Sequence, residues 1–275
     1  MKIIDAHVHS NFDYEPARHH AEKLGVAFSW DNLQRELDGN NVAGTLIITT
    51  DHHAPTPAES ELLIKQRSKD SRLFPICSIH PDYTSKKYQQ ALETLLDKKL
   101  IFGIKIFPGY HPTYPSDERY HPFYKLVGKY NVPVIKHTGD TFGSDHFVKY
   151  SHPLDVDEIA VRFRNTTFVL AHLGNPWVRD AAELVYKNEN VYADLSAFCI
   201  SHPEQHEIKR IAEDIKFALS YTNRPDKFLY GSDWPLTAMK PYIKVIQKAV
   251  PKQHHQQIFF DNANRVFKLG LNPNN

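Results

Sequence analysis

Eight short β-branched runs, each closed by a turn and followed by a helix-length amphipathic stretch, constrain this chain more than any other feature. They cover residues 3–9, 44–50, 73–79, 101–107, 132–137, 167–172, 190–196 and 227–233. Their starts lie 23 to 41 residues apart, 32 on average, which is room for a strand, a helix and two loops each time. Such alternation builds parallel βαβ units, and eight of them close on themselves. The expected fold is α/β, a (β/α)8 TIM barrel, and 275 residues fit it as a single domain over residues 1–275. Helices are predicted over residues 31–38, 57–70, 86–98, 122–130, 154–164, 177–187, 204–221 and 237–248. Thr56-Pro57, Ser85, Asp155 and Pro203 mark several of their starts. Residues 256–269 read as a C-terminal helical extension packed against the outside.

Charge and cysteine usage exclude several function classes. With 33 basic against 32 acidic side chains, the net charge of +1 is far from that of a nucleic-acid binder. Cys77 and Cys199 stand apart, without the paired spacing of a disulfide framework, a thiolate zinc site or a redox pair. No apolar run approaches the ~20 residues of a membrane helix, and the chain opens directly into a strand without a signal-peptide pattern. The expected setting is soluble and cytoplasmic, with a small-molecule partner; a homodimer is allowed on base rates. What ordinary core building does not need is the count of 17 histidines.

In a barrel of this kind, active sites lie at the C-terminal ends of the strands. The connections after the first, fourth and fifth strands (residues 10–30, 108–121 and 138–153) are long and rich in Tyr, His, Phe, Asp and Pro. His7 and His9 stand two apart, hence on one face of the first strand, close enough to converge on one ion. At this histidine content about one such pair is expected by chance, so its location is what matters. His137 ends the fifth run, His172 the sixth and Asp233 the eighth, so imidazoles and a carboxylate from four strands would meet at one mouth of the barrel. Such a set suits a divalent metal, Zn²⁺ first and Mn²⁺ as the alternative, with positions left open for water.

Several motifs together resemble the amidohydrolase superfamily, in the amidohydrolase-related branch that includes aminocarboxymuconate-semialdehyde decarboxylase. They are Asp5-Ala6-His7-Val8-His9, Gly103-Ile104-Lys105-Ile106, Val134-Ile135-Lys136-His137-Thr138-Gly139, Leu170-Ala171-His172-Leu173-Gly174, Tyr192-Ala193-Asp194-Leu195-Ser196, Gly231-Ser232-Asp233-Trp234-Pro235 and Asn262-Ala263-Asn264-Arg265-Val266-Phe267. They run in the expected order from residue 3 to about residue 269. The resemblance implies a metal-dependent barrel in which His7, His9, His137 and Asp233 hold one metal. His172 would then hold a water as acid or base, or bind a second metal. It further implies that Asp233 takes a proton from a metal-activated water that attacks an amide, ester or lactone carbonyl. The alternative is non-oxidative decarboxylation of an unsaturated or aromatic carboxylic acid.

Lys105 keeps three readings: a carboxylated bridge between two metals, an ammonium that binds an anionic substrate or pairs with a carboxylate, and a structural role. One metal per chain is the expectation. Asp5, on the parity of His7 and His9, is expected to orient a ligand from below, and Asp194 to steer a histidine. Phe107 stands where relatives often carry histidine. Tyr110, His111, His80, Phe198 and Trp234 are candidates for the substrate wall, as are His52 and His53. His202 and His206, four apart, lack a third ligand; His19-His20 and His254-His255 read as surface. A phosphoesterase would end its eighth strand in Asp-x-His, where this chain has Asp233-Trp234-Pro235, and a TatD-like nuclease would carry glutamate where Lys105 stands. A non-catalytic binding barrel would not need an open ligand set.

Overall fold

Side chains alternate across a strand, so in a barrel every second residue needs an apolar neighbour outside the wall and the next one needs a neighbour inside it. The computed structural model describes residues 1–49, 57–200 and 202–273, and its buried side chains sort into two clusters. Ile47, Ile104, Val134, Phe168, Leu170 and Val191 face outward against the helices. Leu46, Ile48, Ile76, Ile135, Val169 and Leu229 fill the interior.

The strands are β1 (Ile3–His9), β2 (Val42–Ile48), β3 (Leu73–Ser78), β4 (Ile104–Ile106), β5 (Val134–Lys136), β6 (Phe168–Leu170), β7 (Val191–Asp194) and β8 (Phe228–Leu229). They pair in parallel in chain order. The segment after β8 closes the ring onto β1: Ala6 N–H donates to Tyr230 O and His9 N–H to Trp234 O, each at 2.9 Å, and Asp233 N–H to His7 O at 2.8 Å. The fold is the expected single-domain (β/α)8 barrel. His137, His172 and Asp233 fall beyond the ends of β5, β6 and β8, and the His137 N–H, given to Ile106 O at 3.0 Å, and the Asp233 N–H, given to His7 O, still fasten two of them to the neighbouring strands.

Around the barrel run α1 (Glu15–Lys23), α2 (Trp30–Gly39), α3 (Pro57–Arg67), α4 (Lys86–Asp97), α5 (His121–Tyr130), α6 (Asp155–Arg162), α7 (Val178–Lys187), α8 (Gln205–Thr222), α9 (Met239–Ala249) and α10 (Asn262–Val266). Local chemistry sets several of their starts: the Ser29 and Ser85 side chains accept the Asn32 and Tyr88 N–H groups, and Glu204 and Glu207 form a reciprocal cap on α8. Buried stripes such as Ile211, Ile215 and Ala218 of α8 dock each helix on the wall; each large aliphatic side chain so buried contributes roughly 1.5–3 kcal/mol.

Two expectations need correction. Residues 10–30 contain a helix, α1, which Pro16 in its first turn and the buried pair Ala17 and Ala21 could have signalled. The C-terminal segment lies only partly against the outside, where Ile258 and Phe259 join the outer cluster. Phe260, Ala263, Phe267 and Leu269 join Ile4, Leu46 and Phe74 in the interior cluster, because the strand starts leave an apolar floor that must be covered. Among the described residues no helix is long and apolar enough to cross a membrane.

Candidate metal centre

A register shift in β1 decides which side chains reach the mouth of the barrel. Asp5 pairs with Thr45 and Val8 with Ile47, so three steps along β1 match two along β2. Ile4 and Ala6 therefore point inward below the shift, while His7 and His9 point inward above it and Val8 faces the helices. Parity along an unbroken strand would set Asp5 beside the histidines. The extra residue turns it to the outward side instead, where its Oδ1 accepts the Ser232 N–H at 2.8 Å and the His7 N–H at 3.1 Å. Asp5 thus ties β1 to the end of β8 through the backbone, and acts on His7 there rather than at the ring.

His7 is fully buried and held from both ends. Its Nδ1 lies 2.9 Å from Asp194 Oδ2, and its Nε2 lies 3.2 Å from Lys105 Nζ and 3.5 Å from Asp233 Oδ1. His9 Nε2 is 3.0 Å from the same Asp233 oxygen. Asp233 adopts φ 65° and His172 φ 61°, a left-handed backbone that costs a non-glycine residue of order 1–3 kcal/mol and persists only where contacts enforce it. For His172 the enforcing contact is its N–H donated to Asp194 Oδ1 at 2.9 Å. The rings of His137 and His172 stand 5.2 Å apart, and those of His7 and His172 4.9 Å. Gly231 makes the close approach of β8 to β1 feasible, since a Cβ there would stand 2.9 Å from His7 Cβ.

A divalent cation needs neutral imidazoles and ionised carboxylates, and the surroundings supply both. Burial, then the Lys105 ammonium, depress His7 to about 3 against the pull of Asp194. Burial also lowers His137, reinforced by His172 and Lys105, and lowers His172 against the pull of Asp233 and Asp194. Burial alone would raise Asp233, but the hydrogen bond from His9 and the charges of His172 and His7 outweigh it and hold the carboxyl below its ordinary range. Asp194 is held low in the same way, chiefly by His7. The residues fit a cation: His137 Nε2 is buried with no hydrogen-bond partner among the described residues, and His7, His9 and Asp233 bring ligand atoms within 4.8 Å of one another. An orphaned buried ring nitrogen beside such a group is costly unless something binds it.

The centre opens into a cleft of about 550 Å³, counting its open mouth. Lys105, Phe107, Tyr110, Phe142, Tyr14 and Ala17 line it together with His9, His137, His172 and Asp233. Tyr14 and Ala17 come from the unexpected α1 and the turn before it. His20, expected at the surface, fastens that helix: its Nε2 donates between Ile200 O at 2.6 Å and Leu236 O at 3.2 Å. Tyr110 stacks edge-on to His137 and its hydroxyl accepts the Phe142 N–H at 2.8 Å, which ties the loop after β5 over the centre.

Other candidate wall residues lie elsewhere. Trp234 follows the inward Asp233 and so turns outward, where it is fully buried against Phe12 and Phe28. Phe198 is buried in the outer core. His80 and His111 pack on each other with ring centres 4.1 Å apart, and neither lines the cleft. His202 precedes α8, so it does not share a helical face with His206, which is exposed beside Glu204. His52 and His53 lie outside the described residues.

A family model described as amidohydrolase matches residues 4–269. No curated protein matches the sequence. Among solved structures, an uncharacterised TIM-barrel protein from Bordetella bronchiseptica is similar with a TM-score of 0.78 at 19% identity, over 98% of this chain and 99% of that one. A probable 2-pyrone-4,6-dicarboxylic acid hydrolase from Acinetobacter baumannii, solved with citric acid, gives 0.71 at 16% identity, over 98% and 100%. A dihydroxybenzoic acid decarboxylase from Polaromonas sp. JS666, solved with manganese and an inhibitor, gives 0.70 at 15% identity, over 99% and 98%.

Proposed function

The chain belongs to the amidohydrolase family, and on that premise we propose that it is a metal-dependent hydrolase of a small carboxylated substrate with an amide, ester or lactone carbonyl. One observation carries the reading: ligand atoms of His7, His9 and Asp233 converge beside the orphaned His137 Nε2, at the end of the barrel where a cleft opens. His7, His9, His137 and Asp233 would hold one cation. Zinc is the first choice and manganese, present in the similar decarboxylase, the second. Bound there, a divalent ion supplies Lewis acidity to a carbonyl and acidity to a water.

The chain's own residues do the rest. Asp233 faces His9 with one oxygen and keeps the other for a proton. His172 lines the same cleft as a second proton carrier. Lys105, buried on β4 with Nζ 5.0 Å from the Phe107 ring centre, offers a fixed positive charge to a substrate carboxylate. Tyr110 and Phe142 exclude water from above. Lys105 serves here as an ammonium, so one metal per chain is expected.

Decarboxylation of an aromatic or unsaturated acid is the second reading. It is favoured by the same cation lying beside an aromatic wall, the pairing such a substrate would use. The test is metal analysis, then reconstitution with Zn²⁺ or Mn²⁺ and a panel of lactones, esters and amides against aromatic and enoic acids. Hydrolysis supports the first reading, and CO₂ release in its place moves the assignment to the second. A metal-free preparation inert to the whole panel after reconstitution would overturn both. His7→Ala and Asp233→Asn are expected to abolish turnover with far-UV circular dichroism unchanged, since the barrel layers below are apolar.

A further inference from the structure

The Ser196 hydroxyl has one proton, and counting protons around it decides what His172 offers the cleft. Asp194 Oδ1 accepts the backbone N–H of His172 at 2.9 Å and of Ser196 at 3.1 Å, and makes a short contact with Ser196 Oγ. A carboxylate only accepts, so that short contact uses the single hydroxyl proton. Ser196 Oγ also meets His172 Nδ1 at 2.8 Å. With its proton given to Asp194, the oxygen must accept at this second contact, and Nδ1 must carry a hydrogen. The opposite assignment would press two lone pairs together at one of the two contacts. A neutral imidazole carries one ring proton, which leaves Nε2 bare.

We propose that Ser196 is a positioning residue which, relayed by Asp194, locks His172 in its Nδ1–H form and so presents a bare Nε2 to the cleft. His172 lines that cleft while its Nδ1 is engaged at Ser196. In the resting protein it accepts a hydrogen bond from a water or a substrate hydroxyl, and it donates only after it has taken a proton. The inference rests on the reading of this cleft as catalytic, and it orders the proton traffic there. In hydrolysis an O–H bond of water breaks, its proton goes to Asp233 and its electron pair forms the bond to the carbonyl carbon, while the bare Nε2 accepts the water's other O–H and orients it; the proton on Asp233 then leaves with the departing group. A decarboxylation begun by protonating the substrate would need Nε2 to be loaded with a proton first. Neither Ser196 nor Asp194 itself lines the cleft, so both act through the imidazoles they touch.

The test is histidine-ring ¹⁵N correlation spectroscopy on the full chain, metal-free and zinc-loaded, with His172 assigned by loss of its signals in His172→Gln. Protonated Nδ1 and bare Nε2 are expected in the wild type and in Ser196→Thr, which keeps the hydroxyl. In Ser196→Ala the ring should convert, in whole or in part, to the Nε2–H form, with kcat about 10- to 100-fold lower and KM changed less than about threefold. An Nε2–H ring in the wild type would overturn the proposal, whether or not any variant folds. So would an unchanged ring in a folded Ser196→Ala. The spectra need no substrate, so the expected tautomers with no turnover on any panel compound would sink the proposed activity and leave this inference standing.

Discussion

Asp5→Asn isolates one buried carboxyl whose effect on stability has a definite sign. Burial, partly offset by hydrogen bonds from Ser232 and the His7 N–H, pushes Asp5 from an ordinary 3.8 up to about 7. Between those values the folded chain keeps a proton that the unfolded chain has released, so stability falls as pH rises through that window and levels off above it. The displacement corresponds to roughly 4 kcal/mol in total. Asparagine does not titrate, and its carbonyl can keep both backbone donors that Oδ1 now serves. The variant should therefore gain on the wild type by up to about 4 kcal/mol from pH 4 to pH 8. His7, His137 and His172 act in the opposite direction: their values lie below the ordinary 6.5, so they cost stability as pH falls below it. Both proteins carry them, and they cancel in the difference. The assay is urea unfolding of chelator-treated protein at several pH values, followed by circular dichroism. Two stability curves that run parallel from about pH 5 to pH 8 would refute the raised carboxyl.

Asp194→Asn leaves one oxygen for the donors now on Oδ1 and turns an NH₂ toward His7 Nδ1; the His7 proton then moves to Nε2, on the site side. Metal affinity should drop about 10- to 100-fold, read by competition with a chromophoric chelator. Gly231→Ala would set a Cβ 2.9 Å from His7 Cβ and 3.2 Å from Ser196 Cβ. A loss of about 1–3 kcal/mol in chemical denaturation is expected, together with weaker metal binding; unchanged stability would mean that β8 moves freely against β1. Chelation should abolish turnover while far-UV circular dichroism persists, and readdition of Zn²⁺ or Mn²⁺ should restore it. Persistent activity in the fully chelated protein would remove the metal from the mechanism.

The barrel was legible because the signal that specifies it is local. Period-two runs such as Val132 to His137, followed by helical periodicity, recur along the chain, and the strand ends pointed to His7, His9, His137, His172 and Asp233 as neighbours. α1 was missed because its small buried face, Ala17 and Ala21, leaves a weak apolar stripe among charged and imidazole side chains. Trp234 was misplaced because strand-end proximity says nothing about which way the next residue turns.

Sequence alone thus determined the number of βα units, their order and which residue types crowd the mouth, since each depends on neighbours within one turn or one strand. Only the tertiary structure decided that an extra residue in β1 sends Asp5 outward, that the C-terminal turns plug the floor, and that Asp194 serves His7 from a position 187 residues away. Register shifts and shared hydrogen-bond acceptors are set by partner strands meeting in space, and no periodicity along a single chain encodes where those partners will stand.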